Sequence, residues 1–306
     1  MLRPQRLQSG DTIGVIAPAS PPNLANLNRA IPVFEKMGLS VVLGKKIKKV
    51  HGYLAGTDDE RLSDLHDMFA DPTIKAIIFA CGGYGTGRIA QDIDFDMIKH
   101  NPKIMWGYSD ITFLHTAIHQ ATGLVTFHGS MLASDVGKDS FLDLSLKQFD
   151  QLFQPTTLIY SQIASKLEVI NHGNATAPIV GGNLSLLASA VGTPYEIDTK
   201  GKMLLIEDVD EEPYRVDGML NQLKQAGKLA DAAGILVGDF SNAEPKKEKA
   251  SLSLEQVFQD YFNNLSIPVM SGFKIGHCQP HLAIPLGTRA TMSTYDKIVK
   301  IDPGVH

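Results

Sequence analysis

The sequence predicts an α/β protein in two parts: a parallel sheet covered by helices in the first half, then a smaller, β-rich α/β unit. Three observations carry this. The chain has 306 residues, more than one ordinary domain uses. Its first half alternates short apolar, β-rich runs with amphipathic segments, the pattern of strand–helix–strand units on a parallel sheet. Between about Lys138 and Ala177 that periodicity fades into polar, β-leaning sequence, after which a second α/β pattern resumes. An N-terminal domain is therefore expected over 1–155, a connector over 156–176 and a C-terminal domain over 177–306.

Strands are expected at Thr12 to Ala17, Ser40 to Leu43, Lys75 to Ala80, Ile104 to Trp106 and Leu124 to Phe127. The first follows Arg3 and Arg6 but is too short for the apolar stretch of a signal peptide. Asn26 to Met37 sets Leu27, Ala30, Ile31, Phe34 and Met37 on one helical face, and Pro32 is expected to bend or confine that helix. Thr57 with Glu60 has the spacing of a capping box, opening a helix through Leu62, Leu65 and Phe69. From Asp110, residues Ile111, Leu114, Ala117, Ile118 and Ala121 follow helical spacing until Gly123 stops it. A helix from Leu144 to Phe153 leads into the connector, which holds Leu158-Ile159-Tyr160 and Leu167-Glu168-Val169-Ile170. Beyond it come helix Leu184 to Val191, strand Met203 to Ile206, and helix Pro213 to Gln225 with proline suitably in its first turn. Strand Gly234 to Gly238, helix Leu254 to Phe262 and strands Arg289 to Met292 and Lys297 to Ile301 complete the chain.

Composition narrows the function. Hydrophobic residues make up 43% and charged residues 20%, ordinary for a globular chain and unlike a disordered one. The net charge of −5 offers no basic excess to neutralise nucleic-acid phosphates or an anionic membrane surface. Two cysteines, Cys81 and Cys278, cannot form a disulfide framework or a four-thiolate metal site, and suit a reducing compartment. No stretch approaches the roughly eighteen apolar residues of a spanning helix, so a soluble cytoplasmic protein is expected.

Two loops at strand ends could carry chemistry, since parallel α/β sheets bind ligands beyond the carboxyl ends of their strands. Gly82-Gly83-Tyr84-Gly85-Thr86-Gly87-Arg88 follows the strand Ile77-Ile78-Phe79. It has Arg88 where a dinucleotide fingerprint needs its third glycine, and Arg88-Ile89 where a P-loop needs Lys-Ser/Thr, which disfavours nucleotide binding. Four glycines in six residues can instead turn backbone N–H groups into a site, as an oxyanion hole requires. Ser109, in Trp106-Gly107-Tyr108-Ser109-Asp110, sits at a strand-to-helix turn of the kind used by nucleophile elbows, although Ile111 replaces the second glycine of that motif. Considered alone, Ser109 or Asp110 as a helix cap is the commoner role.

A nucleophilic serine needs a base near neutrality and a carboxylate to orient it. Ten histidines leave the choice open; His277 is the best placed, after an apolar run and Gly276, and a structural histidine is its alternative. Glu207 ends an apolar strand, although Asp208, Asp210, Glu211 and Glu212 would also suit a solvated acidic loop. No ligand set for a metal stands out.

These blocks together resemble the LD-carboxypeptidase family, which includes murein tetrapeptide carboxypeptidases and microcin C self-immunity peptidases. The resemblance runs in order through Gly10-Asp11-Thr12-Ile13-Gly14-Val15-Ile16-Ala17-Pro18-Ala19-Ser20, Gly82-Gly83-Tyr84-Gly85, Gly107-Tyr108-Ser109-Asp110 and Gly181-Gly182-Asn183-Leu184. It continues through Glu207-Asp208-Val209 with Pro213-Tyr214-Arg215, then Gly276-His277 and Leu286-Gly287. It implies a flavodoxin-like or amidotransferase-like N-terminal domain and a smaller β-rich C-terminal one. It also implies Ser109 as nucleophile, His277 as general base, Glu207 as its orienting carboxylate, and backbone oxyanion donors at Gly83 and Asp110. Tyr84, Arg88 and Arg215 become candidates for holding substrate, the arginines by a carboxylate fork.

Where tetrapeptide-cleaving members often carry Arg before the glycine pair, this chain has Cys81, which ranks low as an alternative nucleophile. The implied activity is cleavage of an L,D-peptide bond, releasing a terminal D-amino acid, D-alanine from cytoplasmic muropeptides during peptidoglycan recycling. It needs no cofactor or metal, and a homodimer is compatible with it. One alternative is an immunity-type peptidase or amidase acting on a toxic peptidyl nucleotide. An alternative of another class is a non-catalytic two-domain module that binds a peptide or sugar.

Overall fold

A computed structural model of the protein describes residues 1–245 and 250–306. The chain folds into two units. The first comprises Met1–Thr156 with Leu282–Gly287 and Pro303–His306; the second comprises Thr157–His281 with Thr288–Asp302.

In the first unit, β1 (Thr12–Ile16), β2 (Ser40–Leu43), β3 (Ile74–Phe79), β4 (Ile104–Gly107) and β5 (Thr126–His128) form a parallel sheet in the order β2-β1-β3-β4-β5. That order is the flavodoxin-type winding, in which the chain reverses direction across the sheet between β1 and β3. Beyond β5 the sheet is closed by Ile284–Leu286, which pairs antiparallel to it with Pro285 opposite Phe127. The apolar strands read as near-continuous because both faces are buried. On one face Val15, Ile78 and Trp106 pack with Leu27, Ala30 and Phe34 of α1 (Leu24–Lys36). On the other, Ile16, Ile77 and Phe79 meet α2 (Asp58–Ala70), α4 (Phe95–His100) and α5 (Thr112–Thr122); the one-turn α3 (Thr86–Ile89) follows β3.

Two expectations are corrected here. Of the two effects expected of Pro32, confinement does not occur, since α1 runs on through it: Pro32 and Asn28, whose carbonyl loses its helical partner, are both exposed, so water can take the freed acceptor. The single helix at Leu144 to Phe153 is instead one α-turn, α6 (Asp143–Leu146), tightening into a 3₁₀ segment over Lys147–Leu152.

The second unit contains β6 (Leu158–Ser161), β7 (Glu168–Asn171), β8 (Asn174–Asn183), β9 (Met203–Val209), β10 (Gly234–Ser241) and β11 (Val269–Ser271). Past Ile284–Leu286, here β12, come β13 (Arg289–Ser293) and β14 (Ile298–Ile301). Strands β8 to β11 are parallel in chain order, flanked antiparallel by β13, β14 and β6 on one side and β7 on the other. Residues 156–176, expected as a connector, hold β6, β7 and the first residues of β8. Helices α7 (Leu184–Ser189), α8 (Pro213–Gln225) and α9 (Leu254–Phe262) bury Leu187, Leu220, Leu223, Val257 and Phe262 against it. Among the described residues no helix is long and apolar enough to cross a membrane.

Candidate active site

In the first unit, the loops after β1, β3 and β4 meet at the carboxyl end of the sheet. β4 delivers Ser109 into a 3₁₀ turn, Ser109–Ile111, that runs into α5. Ser109 has φ of 64°, a left-handed backbone that costs a side-chain-bearing residue about 1 to 3 kcal/mol and concentrates at functional sites. A strained serine on a strand-to-helix turn is the geometry of a nucleophile elbow. The glycine loop runs directly against it, since a Cβ added to Gly82 would lie 3.0 Å from Ser109 Cβ and 3.1 Å from its Oγ. Gly83, with φ of 108°, passes so close to Ser20 that an added Cβ would sit 2.3 Å from the Ser20 hydroxyl. Ser20 also ties the loop down, its N–H donating to the Gly82 carbonyl (3.2 Å) and its hydroxyl accepting from the Tyr84 N–H (3.2 Å).

Asp110 joins the two loops. Its buried carboxylate accepts from the Thr86 N–H at 2.9 Å, and its carbonyl accepts from the Thr86 hydroxyl at 2.6 Å. Burial raises its carboxyl pKa, opposed by the N–H groups of Thr86 and Gly85. On the other side Tyr108 donates to Asp135 at 3.1 Å, and Asp135 accepts from the Met131 N–H at 2.8 Å. Behind the elbow, buried His115 donates from Nε2 to the Gly107 carbonyl at 2.8 Å; burial drives its pKa down to about 3, so it is a neutral support. Cys81 donates to the Ser20 carbonyl, and burial pushes its thiol up to about 12, which argues against a thiolate nucleophile.

In the second unit, β9 carries Glu207, wholly buried, with its Oε2 accepting from His277 Nδ1 at 2.8 Å. The ring must therefore carry its proton on Nδ1, leaving Nε2 as the basic nitrogen. Gly276 makes this possible: it has φ of 126°, and an added Cβ would lie 2.6 Å from Glu207 Oε2. Asp208, expected with its neighbours as a candidate solvated loop, is instead buried beside Glu207. It accepts from Asn183 Nδ2 and from the Ser185 and Val209 N–H groups at 2.9 Å each, and burial with the Glu207 charge raises its pKa to about 6.

Of the predicted site residues, the structure brings Ser109, Gly83, Asp110 and Tyr84 together in the first unit, and Glu207 with His277 in the second. Tyr84 is 54% exposed, its ring edge-on to Tyr53 at 5.6 Å. Arg88 forks onto Asp58, with Nε–Oδ1 at 3.0 Å and Nη2–Oδ2 at 2.8 Å, while Arg215 pairs with Glu211 one turn away. Among the described residues no group of three His, Cys, Asp or Glu side chains could hold a metal ion. Sequence reasoning missed Ser20, Arg61, Thr86 and Asp135 as supports. Ser20, at the end of the first strand's block, and Thr86, inside the glycine loop, stood in segments that sequence had singled out; Arg61 and Asp135 did not stand in any candidate site segment.

A strained serine backed by a glycine loop and a carboxylate-held imidazole are the equipment of a serine hydrolase on a two-unit α/β fold. Residues 13–129 match the LD-carboxypeptidase N-terminal domain, and 176–292 match the LD-carboxypeptidase C-terminal domain. A probable murein peptide carboxypeptidase of Bacillus subtilis (strain 168) is 58% identical over 99% of this chain and 95% of its own length. The muramoyltetrapeptide carboxypeptidase from Oxalobacter formigenes is 30% identical, with TM-score 0.86 over 95% of this chain and 98% of that one. The microcin C7 self-immunity protein MccF, solved with adenosine monophosphate, is 25% identical, with TM-score 0.91 over 99% and 98%. The chain belongs to the LD-carboxypeptidase family of serine peptidases.

Proposed function

We propose that the protein is a cytoplasmic LD-carboxypeptidase that removes a terminal D-amino acid, D-alanine, from murein peptides, using Ser109, His277 and Glu207 as its triad. The observation that carries the chemistry is Ser109 in a left-handed backbone against the glycine loop. The murein relatives carry the substrate class, and two free cysteines suit a reducing compartment.

In this reading the Ser109 hydroxyl attacks the carbonyl carbon of the L,D-peptide bond while His277 Nε2 takes its proton. Glu207 holds the imidazole through the Nδ1–H bond and stabilises the imidazolium that forms. The negative oxygen of the tetrahedral intermediate is received by the N–H groups of Gly83 and Asp110. Collapse breaks the C–N bond, His277 returns the proton to the leaving amine, and water then hydrolyses the acyl-enzyme by the same path. Arg88 and Arg215 remain candidates for the substrate's terminal carboxylate, each of which would have to compete with the acid it already pairs with. One chain carries every group of this reading, so a homodimer is compatible with it and not required. Incubation with a panel of murein tri-, tetra- and pentapeptides, assayed for free D-alanine, tests it. Release is expected from the tetrapeptide and is expected to fall about a thousandfold or more in Ser109→Ala. Near-parental release by that variant would remove Ser109 from the mechanism.

A further inference from the structure

We infer that Arg61 is a positioning residue for the oxyanion loop: its buried guanidinium sets the glycine loop against Ser109. The inference rests on the reading of Gly83 as an oxyanion donor. Arg61 lies on the first turn of α2 and is 1% exposed, unusual for a side chain that cannot shed its charge. Its Nη1 donates to the Gly85 carbonyl at 2.8 Å and also to the Pro18 carbonyl. Its Nη2 donates to Asp58 Oδ1 at 2.5 Å. Pro18 belongs to the loop after β1 and Gly85 to the loop after β3, so one guanidinium fastens together the loops that hold Ser20 and Gly83. Gly85 is seated on it, since an added Cβ would lie 2.9 Å from Arg61 Nη1.

Arg61 is a poor choice as a mere space filler. Burying a guanidinium costs several kcal/mol before its partners offset it, and a well-packed apolar side chain of similar volume is often neutral or better. Among the described residues its Nε has no partner, and the one carboxylate it pairs with, Asp58, is shared with Arg88 at the surface. What an apolar residue cannot do is bond two loop carbonyls in a fixed plane. The charge also reaches the elbow, where it lowers the pKa of Asp110 against the larger effect of burial. Positive potential there favours the developing oxyanion.

The test compares Arg61→Met, Arg61→Lys and Arg61→Ala with the parent by two readouts: murein tetrapeptide hydrolysis, and the rate at which a serine-directed phosphonate labels Ser109. Labelling needs the elbow and oxyanion donors but no murein substrate. For Arg61→Met and Arg61→Ala, kcat and labelling rate are expected to fall together, about a hundredfold or more, with KM within a few-fold of the parent. Arg61→Lys, which keeps the charge and loses the fork, is expected to be intermediate. Millimolar guanidinium is expected to restore labelling in Arg61→Ala, where it can enter the vacated space, and not in Arg61→Met. Parental labelling by a folded Arg61→Met protein, judged by its thermal unfolding, would overturn the inference, as would failure of guanidinium to restore any labelling in Arg61→Ala. A parent that labels at Ser109 yet cleaves no murein peptide would instead refute the substrate reading and leave Arg61 to be judged on labelling alone.

Discussion

Ser109 holds a backbone conformation that its own side chain disfavours. The fold tolerates this because the surroundings over-determine it: Tyr108 is tied to Asp135, Asp110 to Thr86, and the Gly107 carbonyl to His115. Strain retained at a reactive residue is stability forgone, and it can be measured. Ser109→Ala and Ser109→Gly both lack the hydroxyl and are expected to be equally inactive, but only glycine adopts a φ of 64° without steric cost. Ser109→Gly is therefore expected to be more stable than Ser109→Ala by about 1 kcal/mol, after the larger chain entropy of unfolded glycine is subtracted. Urea unfolding of the two variants checks this. Equal stabilities would mean that the elbow is not strained at this residue. Gly276 shows the opposite case, a glycine kept because any side chain would displace the carboxylate of Glu207.

At the scale of elements, the elbow is the junction of β4 and α5, and His115 on α5 is the peg that holds it. Its ring is buried and neutral, with a pKa of about 3 in the fold against an ordinary 6.5. Because the folded value is depressed, the unfolded chain binds the proton first. The stability His115 contributes is complete above about pH 6.5 and is lost as pH falls toward 3. From pH 7 to 4.5 the loss amounts to about 2 to 3 kcal/mol, at ~1.4 kcal/mol per pH unit. Carboxylates titrate in the same range, but they do so in a variant as well and cancel in the difference. His115→Gln, which cannot take up that proton, is expected to be less stable than the parent at pH 7 and to close the gap by about 2 to 3 kcal/mol at pH 4.5. Urea unfolding of both proteins at the two pH values measures it, and a gap that stays constant would show that His115 does not remain neutral in the fold.

At the scale of the whole molecule, what was legible in the sequence followed from burial. Strands β1, β3 and β4 were readable because each is an apolar run covered on both faces, and α5 because its buried Leu114, Ala117 and Ile118 recur at helical spacing. Ser109 was readable because a serine stands where such a strand meets such a helix. Arg61 was not, because Asp58-Asp59-Glu60-Arg61 looks like a solvated first turn, and only the tertiary fold turns its last residue inward. The course of the chain was not legible either. Strand β12 lies in a stretch that sequence assigns to the second part, yet it pairs with β5 of the first unit, whose partner residues carry no mark of it. That pairing yields a test of how the proposed triad is divided along the chain. Cut after residue 156, the first fragment keeps Ser109 but exposes β5 as an edge, and the second carries Glu207, His277 and β12. Each fragment is expected to be inactive alone. Co-expressed, they are expected to regain peptidase activity, because β12 can add to the β5 edge through main-chain hydrogen bonds as an extended peptide adds to an open sheet. Ile284→Asp, which puts a charge at a wholly buried position of β12, is expected to abolish that recovery while leaving the triad residues untouched. Hydrolysis by the first fragment alone would place the base within residues 1–156 and remove His277 from the mechanism. Recovery that survives Ile284→Asp would show that the fragments reassemble without β12.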